Sequence, residues 1–192
     1  MSGDALVGHV EGVLAELGYD IFDESENFDD TPKRMAAWLA SFAWSDVEQQ
    51  LEELLSTSFP EDHHELVIVK DISFVALCAH HVLPYWGKAH IGYVPNGRVV
   101  GLSKLARAVK LVAHQLTLQE RITRQLADGI MNTLECQGVM VVLDDVMHGC
   151  MSFRGIEDDH ARTTTSAVRG VFATNDAGIK DEFLRLIRGG SA

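Results

Sequence analysis

No stretch of this 192-residue sequence approaches the roughly 18 consecutive apolar residues that a membrane-spanning helix needs, which argues against a helical membrane protein. The first twenty residues, MSGDALVGHVEGVLAELGYD, carry an acid at Asp4 and lack a basic stretch leading into an apolar one. That is not the pattern of a secretory leader, and the expected location is the cytoplasm. Basic residues are scarce: 16 Lys and Arg stand against 28 Asp and Glu, for a formal net charge of −12, with no dense basic block. Such a protein repels a nucleic-acid backbone, so neither nucleic acid nor membrane is an expected partner. Any anionic ligand must be small and held by a few well-placed cations. Cysteine is scarce too, and odd in number: Cys78, Cys136 and Cys150. Three thiols without a leader do not make a disulfide framework, which leaves metal binding, catalysis or plain burial. Internal repeats and low-complexity segments are also missing.

The composition that is present, 46% apolar and 23% charged, supplies a hydrophobic core for one soluble domain with room for a small helical extension. Apolar spacing at Leu6, Val10, Val13, Leu14 and Leu17 predicts a helix over about residues 4–17, stopped by Gly18. The acidic stretch from Asp20 to Asp30 reads as a loop. Thr31-Pro32 opens a second helix with Met35, Trp38, Leu39 and Phe42 on its apolar face, and a third is expected over Asp46 to Leu55.

From Glu65 the pattern turns to strands, at residues 66–69, 72–77, 90–94 and 98–100. Pro95-Asn96-Gly97 is a hairpin signal joining the last two. A helix capped by Ser103 is expected over Gly101 to Val112, and a long one over Thr117 to Leu134 with Leu118, Ile122, Leu126 and Ile130 on one face. Strands over Gly138 to Asp144 and Thr163 to Phe172 and a helix over Lys180 to Arg188 complete the sequence. This order makes the fold class α+β with antiparallel hairpins rather than alternating βαβ units.

Two short clusters carry chemistry. Cys78-Ala79-His80-His81 ends a predicted strand, and the spacing of Cys78 and His81 lets a thiolate and an imidazole reach one metal ion from a single turn. The same spacing also suits a half-buried cysteine beside surface histidines. His148-Gly149-Cys150 follows another predicted strand, and Cys150 offers a third ligand. Two Cys and one His leave a tetrahedral ion one position short, the mark of a catalytic site in which a bound water has its pKa lowered to about 7. His80 and His148 then lie beside the metal, either as proton donors and acceptors or as groups that orient a ligand. Cys136, at a helix end before Gln137-Gly138, reads as structural.

Further motifs stand in order around these clusters: Asp30-Thr31-Pro32-Lys33-Arg34, Gly101-Leu102-Ser103-Lys104-Leu105-Ala106-Arg107, Gln119-Glu120-Arg121, Arg154-Gly155 and Thr163-Thr164-Thr165-Ser166. Together with Cys78 to His81 and His148 to Cys150 they make the sequence, from about Asp30 to Arg188, resemble the GTP cyclohydrolase I family. The resemblance implies hydrolysis and rearrangement of GTP to 7,8-dihydroneopterin triphosphate with release of formate, with Zn2+ as cofactor. Cys78, His81 and Cys150 match the family's zinc ligands. His80 matches the histidine that protonates the purine N7 while water attacks C8, and His148 the histidine near the ribose.

Glu120 matches the carboxylate that accepts from the guanine N1–H and 2-amino group, a charge-assisted two-point contact, with Gln119 beside it. Ser103, Lys104, Arg107, Arg154 and Arg34 match contacts to ribose and triphosphate. The implied fold is the tunnelling fold, an antiparallel sheet with two helices on one face that closes with other copies into a barrel, assembled as a homodecamer of two pentameric rings with active sites between subunits. The expected division is a helical extension over 1–60 and a catalytic domain over 61–192.

Three departures stand out. Ala79 occupies a place that is usually Glu, Ala76 one that is commonly Ser, and His114-Gln115-Leu116-Thr117 lacks the usual basic residues. Ala79 and the 114–117 segment motivate one alternative, a paralogue acting on a modified guanine nucleotide or stopping at the ring-opened formamide. Another is a zinc-stabilised nucleotide-binding protein without catalysis, against which His80 and His148 argue.

Overall fold

A computed structural model of the protein describes residues 3–20, 28, 30–174 and 177–189. The protein forms two compact units, Met1–Trp44 and Ser45–Ala192. The first contains helices α1 (Gly3–Glu16) and α2 (Thr31–Ser41). Gly18, at φ +89°, ends the first helix as expected. Asp30 rather than Thr31 takes the cap position of α2. Of the apolar face expected there, Phe42 is buried while Met35 and Trp38 stay exposed. Most of the acidic loop expected over Asp20 to Asp30 lies outside the described residues.

The second unit runs α3 (Val47–Ser56), β1 (Ser58–Pro60), β2 (Val67–Cys78), β3 (Pro84–Val94), β4 (Arg98–Val100), α4 (Leu102–Ala113), β5 (Leu116–Thr117), α5 (Gln119–Leu134), β6 (Gly138–His148), α6 (Gly149–Ser152), β7 (Thr163–Gly170) and α7 (Ala177–Ile187). Five strands form one sheet in the order β5-β2-β3-β6-β7, antiparallel except for the short parallel pair β2–β5. Strand alternation sends Phe74, Ala76, Ala89, Ile91, Val139 and Val141 to one face. There they meet Leu105, Val109 and Val112 of α4 and Ile122, Leu126 and Ile130 of α5, the stripes that helical spacing predicts. The result is the antiparallel sheet with two helices on one face that the resemblance implied. On the other face α7 lays the Phe183 ring against Gly92, where any Cβ would collide with it, beside Val94, Met140 and Val142.

Several expectations change in the folded protein. The second unit begins at Ser45, because Val47, Leu51 and Leu55 of α3 are buried in the same core as α4 and α5. The hairpin expected across Pro95-Asn96-Gly97 does not form. The backbone turns there, with Gly97 at φ +74°, but β4 pairs with β1, Ser58 opposite Val100. Both edges of β3 are already taken by β2 and β6, so no ladder remains for β4. The segments expected at 66–69 and 72–77 merge into one strand that starts at Val67 and is interrupted by a bulge at Asp71 (φ +61°).

Ser103 does not cap α4. Gly101 holds that position and Ser103 lies one residue inside the helix. Thr117 precedes α5 and sits in β5 instead. The strands β3 and β6 run further than predicted, to Pro84 and His148, and this extra length carries them to the clusters singled out above. No described helix is long and apolar enough to cross a membrane.

Candidate active site

β2 delivers Cys78 at its end, and the backbone folds back over residues 79–83 into β3. Backbone hydrogen bonds close this turn: the Cys78 N–H donates to the Leu83 carbonyl at 2.8 Å and the Val82 N–H to the Cys78 carbonyl at 2.8 Å. β5 holds it from the side, with the Ala79 N–H donating to the Thr117 carbonyl at 3.2 Å. The antiparallel register of β3 and β6 sets His148 opposite Tyr85. The backbone then passes into α6, whose second residue is Cys150. Two strand ends, far apart in sequence, thus bring both chemical clusters to one end of the sheet.

The ligand atoms of Cys78, His80 and His81 all lie within 4.8 Å of one another, with His81 Nδ1 3.7 Å from Cys78 Sγ. Arg154 Nη1 donates to the other ring nitrogen of His81 at 2.8 Å. The Cys150 thiol lies in hydrogen-bonding reach of Cys78, and its pKa is pushed up by burial and then by that neighbouring sulfur. Burial and the second sulfur both work against the Cys150 thiolate. A divalent cation removes that conflict by stabilising both thiolates. Sulfur and imidazole donors in this number suit a borderline-soft ion such as zinc, so the residues present fit a metal.

His148 is half-buried and clamped on two sides. Tyr85 stacks on its ring, with centroids 4.7 Å apart and planes 7° from parallel. Gln119 Oε1 lies 2.8 Å from its Nε2. Burial lowers the pKa of His148, and the Glu120 carboxylate opposes this in part, so the ring is neutral at pH 7. Tyr85 donates its hydroxyl to the Thr117 carbonyl at 3.3 Å, and burial, with Cys78 and Glu120 adding to it, raises its pKa. Glu120 stands exposed in the first turn of α5, where the helix dipole favours a carboxylate. His80 is exposed, its ring edge-on to His81 at a centroid separation of 6.0 Å.

The fold therefore gathers Cys78, His80, His81, Cys150, His148, Gln119, Glu120 and Arg154 into one neighbourhood. Ser103, Lys104 and Arg107 line the N-terminal half of α4, and among the described residues they make no side-chain hydrogen bond or ion pair. Arg34 belongs to the first compact unit and contacts Asp30 at 3.8 Å and Thr31 at 3.3 Å. Cys136 is buried, its thiol donating to the Gly138 carbonyl at 3.5 Å, as a structural residue would be. Of the departures, Ala76 is fully buried in the core, Ala79 is exposed, and Leu116-Thr117 form β5. Sequence reasoning missed Tyr85 and Thr123, and gave Thr163 and Thr165 no role. An aromatic residue just after a Cys-x-x-His turn at a strand start was the available signal for the first.

Comparison with known proteins accords with this geometry. The family model for GTP cyclohydrolase I matches residues 6–188. The GTP cyclohydrolase 1 of Halalkalibacterium halodurans is 49% identical over 178 residues, covering 92% of each sequence. That of Bacillus pumilus is 46% identical over 185 residues, covering 95% of each. That of Bacillus subtilis is 47% identical over 180 residues, covering 93% of this protein and 92% of its own length. The fold and site define a hydrolase of the pterin-forming kind, and the protein belongs to the GTP cyclohydrolase I family.

Proposed function

We propose that this family member hydrolyses and rearranges GTP to 7,8-dihydroneopterin triphosphate and formate, with zinc held by Cys78, His81 and Cys150. The observation that carries the reading is Cys78 set against His81 on one side and Cys150 on the other, with two further histidines nearby, one exposed and one clamped. His81 is taken as the ligand because it turns Nδ1 toward the Cys78 sulfur, which leaves His80, equally exposed, as the acid. When bound, zinc supplies Lewis acidity and a water with a pKa near 7.

The protein's own residues do the rest. His80 gives a proton to N7 of the purine, which makes C8 electrophilic. Glu120 accepts the two parallel N–H donors of guanine, an edge that adenine lacks. Gln119 and His148 serve the ribose, which must open and rearrange before the pterin ring closes, with Ser103 beside them. Lys104, Arg107, Arg154 and Arg34 neutralise a triphosphate that the net charge of −12 would otherwise repel. The lack of any protein partner for the Lys104 and Arg107 side chains among the described residues supports that role.

A decamer of two five-membered rings belongs to the same reading. β5 and β7 each leave one edge without a strand partner among the described residues, a liability that closing a barrel removes. A cytoplasmic location completes it.

Formate release and pterin absorbance, followed together on GTP with the zinc-loaded protein, test the assignment. Formate and pterin appearing in equal amounts is the expected result. GTP bound but left intact would overturn it. GTP opened without pterin would point to the paralogue that halts at the formamide.

A further inference from the structure

Thr123, one turn into α5, donates its hydroxyl proton to the backbone carbonyl oxygen of Gln119 at 2.8 Å. A hydroxyl has only one proton to give. Toward Thr165 Oγ1, 2.7 Å away, Thr123 therefore offers a lone pair, and Thr165 is the donor of that bond. What Thr165 has left for the Gln119 amide, at 3.1 Å, is a lone pair as well. Only the NH2 end of an amide satisfies a lone pair, so Gln119 Nε2 faces Thr165 and Oε1 faces the other way. There Thr163, 2.9 Å from Oε1 and 3.3 Å from the Val146 carbonyl, gives its one proton to the shorter contact, and His148 Nε2 lies 2.8 Å from the same oxygen. An amide oxygen accepts and never donates, so Nε2 is the protonated nitrogen of the neutral ring. The lone pair of His148 is then on Nδ1, which makes no hydrogen bond to the described residues.

We infer that Thr165, backed by Thr123, is a positioning residue: by fixing which end of the Gln119 amide meets His148, it holds His148 as the Nε2–H tautomer and leaves Nδ1 as the atom that accepts a proton from substrate. The strand supplies the arrangement. Thr163 and Thr165 alternate with Thr164 along β7, so two of the three face Gln119 while Thr164 donates to Asp144 at 2.6 Å on the opposite face. His148 enters the reaction at the ribose only under the proposed function, and the inference rests on that reading.

The test uses the full-length, zinc-loaded protein. Thr165→Val keeps the shape and removes the lone pair, so the amide loses its reason to point one way. Pterin formation should fall about tenfold or more, GTP consumption should fall less, and opened intermediate should accumulate. Thr165→Ser should restore the parent ratio of pterin formed to GTP consumed. A Thr165→Val protein with the parent rate and ratio would overturn the inference.

If that variant does not fold, solid-state 15N spectra of histidine-labelled parent protein decide alone. The His148 signals, identified by their loss in His148→Asn, should report Nε2–H, and Nδ1–H would sink the inference. A parent protein that consumes no GTP would end the proposed function instead, and the ring spectrum would still answer for the tautomer.

Discussion

His80 and His148 flank one cluster and are held in opposite ways. His148 has a ring stacked on one side, an amide on one nitrogen, and strand β6 beneath it. His80 sits on the exposed turn between β2 and β3, with the edge of His81 as its aromatic neighbour. Under the proposed function, the difference separates two kinds of proton chemistry. A residue that must present one particular nitrogen to a flexible sugar needs its tautomer imposed before substrate arrives. A residue that protonates a flat, rigid purine can take its orientation from the substrate itself.

The sharpest way to break the comparison is to remove what both histidines share. Cys150→Ser should lose bound zinc and all turnover together, read by metal content and formate release; full activity would show that the cluster is not the reaction centre. Next in size is His80→Ala, which should keep zinc and the clamp on His148 yet slow opening of the purine by about 10²–10⁴-fold. An unchanged rate of GTP loss would remove His80 from the chemistry.

The smallest effect is expected from Thr164→Val, which touches neither histidine. The Thr164 hydroxyl is the main cause of the lowered Asp144 pKa. A carboxylate with a depressed folded pKa stabilises the fold above its unfolded pKa of about 3.9, and that support is lost as pH falls through the folded value. Denaturant midpoints should therefore drop by the equivalent of about 0.5–1.5 kcal/mol at pH 7 and converge with the parent as pH falls below the folded value, with pterin formation per GTP unchanged. A loss of turnover comparable to that of Thr165→Val would mean that the face of β7 does not discriminate between the threonines.

The parts of this site that were legible in sequence are the local ones. Cys78 and His81 share a turn, and Cys150 follows a strand, so spacing was enough to propose ligands. The helices α4 and α5 announce themselves through apolar positions such as Leu105, Val109, Ile122 and Leu126, all fully buried in the fold. What periodicity does not carry is register. It leaves Tyr85 and His148 outside the predicted strands and cannot set them opposite each other, because pairing decides that. The Pro95-Asn96-Gly97 signal misled for a related reason: a turn signal is local, whereas free ladder edges are a property of the whole sheet. Nor could the Thr-Thr-Thr-Ser run disclose its role, since the donor count around Gln119 draws on α5, β6 and β7 at once.

The backbone hydrogen bonds that close the 78–83 turn have a consequence for how the protein handles metal. Those from the Cys78 N–H to the Leu83 carbonyl, the Val82 N–H to the Cys78 carbonyl and the Ala79 N–H to the Thr117 carbonyl are all made by peptide groups, none by a ligand side group. The loop is thus ordered by the sheet in advance, and an ion that enters has little backbone entropy to remove. Affinity is then kept for the ion rather than consumed in folding, the reverse of small zinc domains whose fold appears only with the metal. Chelation should silence the enzyme and leave it standing, ready to be reloaded.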